Sequence, residues 1–327
     1  MIQPAVAAPL LHVGLIGSGR RIRNNFLPAF SCLSDHAVVR GITSPTAAHR
    51  DEVARLWGIE SCESVASLEP ASLDVVCVSV KTDAVPDVLR SLLPWAANLA
   101  LIVDTPVVGR ATHLRATRLL RKFADVRVAE DYMNFPRYEL LRTAVASGVI
   151  GDLQRVELHH NAYRYHGLAL IRSLAEFAPV RSVRRSSSEP NAVSLRVRLR
   201  GGVVGLMTEP YDYGNGSLVV AGTNGQITHI EEVINTDGRL ASLRIGERTL
   251  TPRHLVALQA LGTGGQVADD RDFNHEKTCG LIRIIESFWQ PDNLNCRYSY
   301  VDALKDHVVT AGARVAISSR RSLAAAR

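Results

Sequence analysis

The chain has no CxxC pair, and its five cysteines, Cys32, Cys62, Cys77, Cys279 and Cys296, are scattered and odd in number. That spacing excludes a disulfide framework and a thiolate zinc site, and reads as reduced thiols that fill space. His159-His160 and His275 show no ligand spacing with cysteines or carboxylates, so no metal is expected. No apolar run reaches the roughly 18 residues of a membrane span, so no membrane partner is expected. Met1 to Leu10 lacks the basic segment of a secretory signal, and the expected location is cytoplasmic. The net charge of +6 is modest, and part of it lies in Arg314 to Arg327 without any nucleic-acid-reading motif. A solvated tail with affinity for a phosphorylated small ligand is the reading, and nucleic acid is not an expected partner.

What is present is a change of rhythm part-way along 327 residues, enough for two cores. Residues 1–130 alternate short apolar runs with longer amphipathic ones, as repeated βα units on a parallel sheet require. The expected strands are His12–Ile16, Ala37–Ile42, Ile59–Cys62, Leu73–Val80, Leu99–Val103 and Val126–Ala129. Helices are expected at Arg20 to about Ser31, after Pro45 in a first turn, at Val85–Ala97, and on the face Leu114, Thr117, Leu120 and Phe123. Residues 131–327 read differently: a helix at Arg137–Ser147, then strand-like segments separated by Gly201-Gly202, Asn215-Gly216, Asn224-Gly225 and Asp237-Gly238. Arg184–Pro190 reads as a polar loop, and helices are expected at His275–Trp289 and about 301–319. The fold class is therefore α/β: an N-terminal Rossmann domain with a parallel sheet, then an α+β domain on a largely antiparallel open sheet. That open sheet offers a broad face for a homo-oligomer, a dimer or tetramer.

Strand one feeds into Gly17-Ser18-Gly19-Arg20-Arg21-Ile22. Glycines serve where the chain turns tightly and where backbone approaches a pyrophosphate, and the following helix points its N–H groups at the phosphates. Ile22 stands where a third glycine is common, so the motif draws its weight from its place between strand and helix. At the end of strand two, an acid would bind the adenosine ribose and repel a 2′-phosphate. Here the chain reads Thr43-Ser44-Pro45, with Arg50 beyond. NADP(H) is the expected cofactor, with NAD(H) possible. Val80, Thr105 and Pro106 complete the expected cofactor-binding set with Gly17, Ser18, Gly19, Arg20, Arg21, Thr43, Ser44 and Arg50.

These residues resemble the glucose–fructose oxidoreductase and inositol dehydrogenase family (Gfo/Idh/MocA). The resemblance rests on Val13–Arg20 with Phe26–Phe30, on Asp74–Val78, on Val103-Asp104-Thr105-Pro106, on Ala129–Tyr132 and on Ser147–Leu153. It implies a nicotinamide and a small-molecule substrate held between a Rossmann domain and an open-sheet domain, and it makes sheet-mediated oligomers common. Two departures stand out. Thr105 occupies the place of the family's usual lysine in Glu-Lys-Pro, and the usual D-x-G-x-H histidine is unmatched in Tyr163–Arg172.

Hydride delivered to a C=O or C=N bond still requires a proton. Lys81, at the carboxyl end of strand four and expected near Thr105, is one candidate; a solvated loop lysine is the other reading. His166, flanked by Tyr163 and Tyr165, is the second, with the two phenols as further candidates. Arg172 is read as a salt-bridge partner of Glu130 or Glu176 rather than an anion site. The expected activity is an NAD(P)-dependent oxidoreductase acting on a small carbonyl or imine, compatible with specialised metabolism and a resemblance to the thiazolinyl imine reductase branch. The alternatives are a nucleotide-binding sensor or structural partner, and a non-redox enzyme that uses bound nucleotide.

Overall fold

The computed structural model describes residues 10–107, 111–162, 164–186, 192–212, 216–234, 240–250, 271–290 and 292–311. By mutual contact the chain divides into two units, 1–131 with 257–300 and 132–256 with 301–327.

The first unit is built on six parallel strands in the order β3-β2-β1-β4-β5-β6. They are β1 (Leu11–Ile16), β2 (Ala37–Thr43), β3 (Glu60–Cys62), β4 (Val75–Val78), β5 (Ala100–Asp104) and β6 (Asp125–Ala129). Runs such as Val75-Val76-Cys77-Val78 are buried throughout, as strands covered on both faces must be. The order reverses between β1 and β4, which is where an open α/β sheet forms its ligand crevice.

Helical turns connect the strands. A π turn at Ile22–Phe26 leads into α1 (Leu27–Cys32). The π turn frees backbone groups, and the Thr278 hydroxyl lies 3.3 Å from the carbonyl of Asn24 there. α2 (Ala47–Trp57) has Thr46 at its N-cap and ends at Gly58, whose φ is +63°. Pro45 therefore lies ahead of the helix, not in its first turn. α3 (Val85–Leu92) gives way to a 3₁₀ turn containing Pro94, so the expected helix to Ala97 is cut short where proline has no N–H to donate. After β5 the chain forms 3₁₀ turns over Ala111–Lys122 in place of the expected α-helix, with Leu120 buried.

The second unit begins with α4 (Pro136–Ala146). Its main sheet has the order β12-β11-β7-β10-β9-β8. The strands are β7 (Leu153–His159), β8 (Val180–Ser186), β9 (Val193–Leu199), β10 (Val204–Glu209), β11 (Ser217–Gly222) and β12 (Gln226–Ile227). All pairs are antiparallel except β7 with β10. The expected polar loop from Arg184 is corrected: Arg184, Arg185 and Ser186 extend β8, pairing with Arg196, Leu195 and Ser194. The adjacent Arg184 and Arg185 masked the strand period there. A three-stranded sheet of β13 (Glu231–Ile234), β14 (Leu240–Ile245) and β15 (Arg248–Leu250) follows. α5 (Arg164–Leu174) covers the inner face of the main sheet, with Ile171 against Gly205 and Gly167 against Met207.

α6 (Arg271–Glu286) packs in the first unit. Its Leu281, Ile282, Ile284 and Ile285 share one core with Val13, Leu15, Phe26, Leu27, Ala29 and Phe30. The expected boundary at residue 131 leaves this helix in the second domain, because periodicity reveals an apolar face without naming what it meets. The last described helix, α7, spans 300–311; the remainder of the expected helix to 319 lies outside the described residues, as do Asn215 and Asp237-Gly238 of the expected turns. Among the described residues no helix is long and apolar enough to cross a membrane.

Inside α6, Gly280 lets the helix approach β6: a Cβ there would lie 2.6 Å from the carbonyl oxygen of Asp131. Alanine normally stabilises a helix interior by about 0.5–1 kcal/mol relative to glycine. Here Gly280→Ala is expected to destabilise by about 1–3 kcal/mol, as overpacking does. Urea unfolding reads the difference, and a gain in stability would contradict this packing.

Candidate functional site

The glycine loop is fixed from two sides. The Gly17 N–H donates to the carbonyl of Thr43 at 2.8 Å, and the Ser79 N–H donates to that of Ile16 at 2.9 Å. Gly17 has φ +117°, and a Cβ on it would lie 2.0 Å from the Ser79 carbonyl oxygen, so only glycine fits. Nothing lies within 4 Å of a Cβ built on Gly19, which leaves its outer side open. The buried Ser18 hydroxyl donates to the Ser44 hydroxyl at 2.9 Å and ties the loop to the end of β2. Gly17, Ser18, Thr43, Ser44 and Val80 thus come together, with Gly19 and exposed Arg20 at the rim.

Two expected cofactor residues are differently engaged. Arg21 was assigned to the cofactor, but its Nε donates to Asp104 Oδ1 at 3.3 Å and its Nη1 to Asp131 Oδ2 at 2.7 Å. Nη1 also reaches Asn25 Oδ1 at 3.3 Å. Burial works to lower the Arg21 pKa, but Asp131 and Asp104 outweigh it and hold the guanidinium above its ordinary value. Arg50 donates through Nε to Asp51 Oδ1 at 2.9 Å and to the Ser61 hydroxyl at 2.8 Å. Asp51 is held below the usual carboxylate range by the Ser61 hydroxyl and then by Arg50.

Asp104, last residue of β5, is a hub that spacing alone did not reveal. Its Oδ2 accepts from the Ser79 hydroxyl at 2.7 Å and its Oδ1 from the Thr105 N–H at 3.0 Å. Thr105 and Pro106, joined by a cis peptide, follow at the carboxyl edge of the sheet. Lys81 is exposed and directly precedes the turn Thr82–Ala84 that follows β4.

The second unit holds its own cluster of polar aromatics. The Tyr132 hydroxyl donates to the Asn161 carbonyl, and the Tyr138 hydroxyl donates to Asn161 Oδ1 at 2.7 Å. Burial, and then Tyr138, pushes the Tyr132 phenol well above its ordinary value, so it serves as a neutral donor. The rings continue in a row: Tyr132 to His166 at 5.9 Å, His166 to Tyr165 at 4.2 Å, and Tyr165 to His307 at 3.9 Å. Tyr163, the remaining candidate, lies outside the described residues.

Strained backbone brackets the segment that carries Asn161. His160 and Arg164 both adopt positive φ, 53° and 49°. The Arg164 N–H donates to Glu209 Oε1 at 2.5 Å, and His160 Nδ1 lies 2.6 Å from the carbonyl of Pro210. Such strain persists only where surrounding contacts over-determine it. Arg172 is corrected in its partners: it binds Asp306 through Nη1 at 2.8 and 2.9 Å and Asp302 through Nη2 at 2.8 Å, tying α5 to α7. Neither Glu130 nor Glu176 is its ion-pair partner.

His307 carried no signal in the sequence. It is 6% exposed, and neither ring nitrogen has a hydrogen-bond partner among the described residues. Burial, and then His166, lowers its pKa to about 3.

Residues 11–131 match the Gfo/Idh/MocA family, described as an oxidoreductase family with an NAD-binding Rossmann fold. No curated protein matches the chain. Among solved structures, a probable dehydrogenase from Thermotoga maritima is similar with TM-score 0.69 at 15% identity, covering 95% of this chain and 97% of that one. An oxidoreductase from Agrobacterium radiobacter in complex with NAD⁺, L-tartaric acid and magnesium gives 0.67 at 13% identity, over 94% and 96%. A levoglucosan dehydrogenase in complex with NADH and L-sorbose gives 0.66 at 17% identity, over 94% and 97%. At these identities the likeness is one of fold.

The state of His307 sets a pH dependence. In the unfolded chain its imidazole takes a proton near pH 6.5, but in the fold only near 3. Between those values the unfolded state binds more protons, so this group's contribution to stability is intact above pH 6.5 and declines as pH falls toward 3. His307→Leu is expected to remove that loss, improving relative to wild type by roughly 2 kcal/mol between pH 7.5 and pH 5. Urea titrations at the two pH values measure it; an unchanged difference would show that His307 charges normally in the fold.

Proposed function

We propose that the chain is an NAD(P)-dependent oxidoreductase that reduces or oxidises a small carbonyl or imine. The observation that carries this reading is the glycine loop: a turn with space only for Gly17 beneath it, opening over Gly19 at the start of a helix. That cradle fits a pyrophosphate, which takes backbone N–H groups at a helix N-terminus and needs close approach. Ser18 and Ser44 hold the loop, and Arg20 supplies an exposed cation beside it.

The absence of an acid at the end of β2 favours NADP(H). Thr43 and Ser44 stand there, and the terminal nitrogens of Arg50 have no partner among the described residues. When bound, the nicotinamide supplies or accepts hydride. The protein's part is to orient the reacting group and to hold or move a proton at the substrate heteroatom. We assign that proton to His166, whose imidazole can both give and accept one and whose ring packs between Tyr165 and Tyr132. Tyr165 packs beside it at 4.2 Å, and Tyr163 is a further candidate for the same role. Lys81, on the first unit, is the second candidate donor. The chain is further read as a cytoplasmic homo-oligomer that uses the outer face of the second sheet. There Val204, Leu206 and Ala221 line a shallow concavity of about 710 Å³ with Arg155, Arg196 and Gln226.

Fluorescence titration tests the cofactor: NADPH is expected to bind several-fold more tightly than NADH, and absence of binding by either at millimolar concentration would falsify the enzyme reading. Once carbonyl and imine screening yields a substrate, His166→Ala is expected to lower kcat about 10²-fold or more, in the usual range for a lost general acid. Full turnover in both His166→Ala and Lys81→Ala would remove these residues from the chemistry. Leu206→Asp is expected to reduce the mass seen by sedimentation, and an unaltered assembly would place the interface elsewhere.

A further inference from the structure

The Arg21 side chain presents a puzzle of charge. It leaves the helix one residue past the open rim of the glycine loop, where a cation would ordinarily serve a phosphate. Yet its guanidinium lies between Asp104 Oδ1 and Asp131 Oδ2, at the ends of β5 and β6. One positive and two negative charges leave this group net negative, so it repels a pyrophosphate. Arg20 is exposed and has no ion-pair partner among the described residues. The two neighbouring arginines therefore divide their work, and only Arg20 is disposed toward phosphate.

The contacts of Asp104 show what Arg21 holds. The carboxylate that receives Arg21 also receives the Thr105 N–H at 3.0 Å and the Ser79 hydroxyl at 2.7 Å. Ser79 is the residue whose carbonyl stands against Gly17. A continuous clasp thus runs from the glycine loop through Ser79 and Asp104 to Arg21 and Asp131, across the ends of β1, β4, β5 and β6. In an open α/β sheet the ligand lies outside these carboxyl ends. With the pyrophosphate at the turn after β1, the rest of a dinucleotide extends over the ends of β4 and β5, where Ser79, Val80 and Thr105 stand.

We propose that Arg21 is a positioning residue: through Asp104 it fixes the Ser79 and Thr105 turns that receive the nicotinamide end of the cofactor, and it makes no contact with the pyrophosphate. The proposal rests on the nucleotide reading above and adds which half of the nucleotide each arginine serves. A guanidinium is needed because its fork reaches two carboxylates on different strands; a lysine offers one compact ammonium and cannot bridge both.

The test separates the two halves of the nucleotide in the full chain. ADP-ribose carries the adenosine and pyrophosphate without the nicotinamide, and NADPH carries both. In Arg21→Lys and in the near-isosteric Asp104→Asn, ADP-ribose is expected to bind within twofold of wild type. The fluorescence enhancement of bound NADPH is expected to fall at least twofold, and hydrogen exchange in the peptide carrying Thr105 to quicken without any nucleotide present. Tenfold weaker ADP-ribose binding in Arg21→Lys would make Arg21 a phosphate ligand and overturn the proposal, as would unchanged exchange at Thr105 in both folded variants. Asp104→Asn decides the matter if Arg21→Lys does not fold. Wild-type protein that binds neither ADP-ribose nor NADPH overturns the nucleotide reading and the proposal with it. Wild-type binding of both, with variants indistinguishable from it, overturns the role of Arg21 alone.

Discussion

A guanidinium enclosed by two carboxylates organises the carboxyl edge of the first sheet. Asp131 has a side chain only 5% exposed, and Arg21 reaches it across the strand ends at 2.7 Å. Withdrawing such charges from water costs several kcal/mol per ion, and mutual attraction offsets this only when geometry and remaining hydrogen bonds are good. Here they are: Ser79 and the Thr105 N–H occupy further lone pairs of Asp104, and Asn25 Oδ1 accepts from the Nη1 that also binds Asp131. Asn25 in turn donates to the carbonyl of Asn274 on α6, which links the strand ends to the helix beneath them. Breaking one partner would strand the others, so the cluster behaves as a unit.

The second unit solves a different problem by different means. Its described candidates, Tyr165 and His166, open α5 just after the strained backbone at Arg164, beside the hydrogen-bonded phenols of Tyr132 and Tyr138. The row of rings ends at an imidazole with no partner for its nitrogens among the described residues. The His166 ring packs against Tyr165 and Tyr132 within that row. Charge enters two turns further along α5, where Arg172 binds two aspartates of α7, the helix that also carries His307 against Tyr165.

Much of the first unit was legible because βα repetition is a strong local signal. Buried strands are apolar throughout, helices are punctuated by Pro and Gly, and the glycine loop sits between them. Errors there came from local chemistry: Pro45 precedes the Thr46 cap, and Pro94 ends a helix early. In the second unit Arg184 and Arg185 hid a strand, since two adjacent charges in β8 break the alternation that marks one. The candidate site was legible only where backbone dictates sequence. Gly17 could be found because nothing else fits; the partners of Arg21 could not, because the sequence separates them widely and only the sheet's strand order brings them together. His307 was hidden for the same reason, and the landing place of α6 was hidden because an apolar stripe does not specify its complement.

The meeting of Gly17 with the Ser79 carbonyl has a consequence for how such a chain can change. The constraint is one-sided: a backbone oxygen presses on a missing side chain, so position 17 admits one residue while the oxygen at position 79 is present whatever residue stands there. The loop's shape is thus written at a single place, and the surrounding apolar strands need only remain apolar. Fold likeness at 13–17% identity is what such sparse bookkeeping permits. Chemistry at the rim is then free to drift from one chain to the next while the cradle beneath it stays as it was.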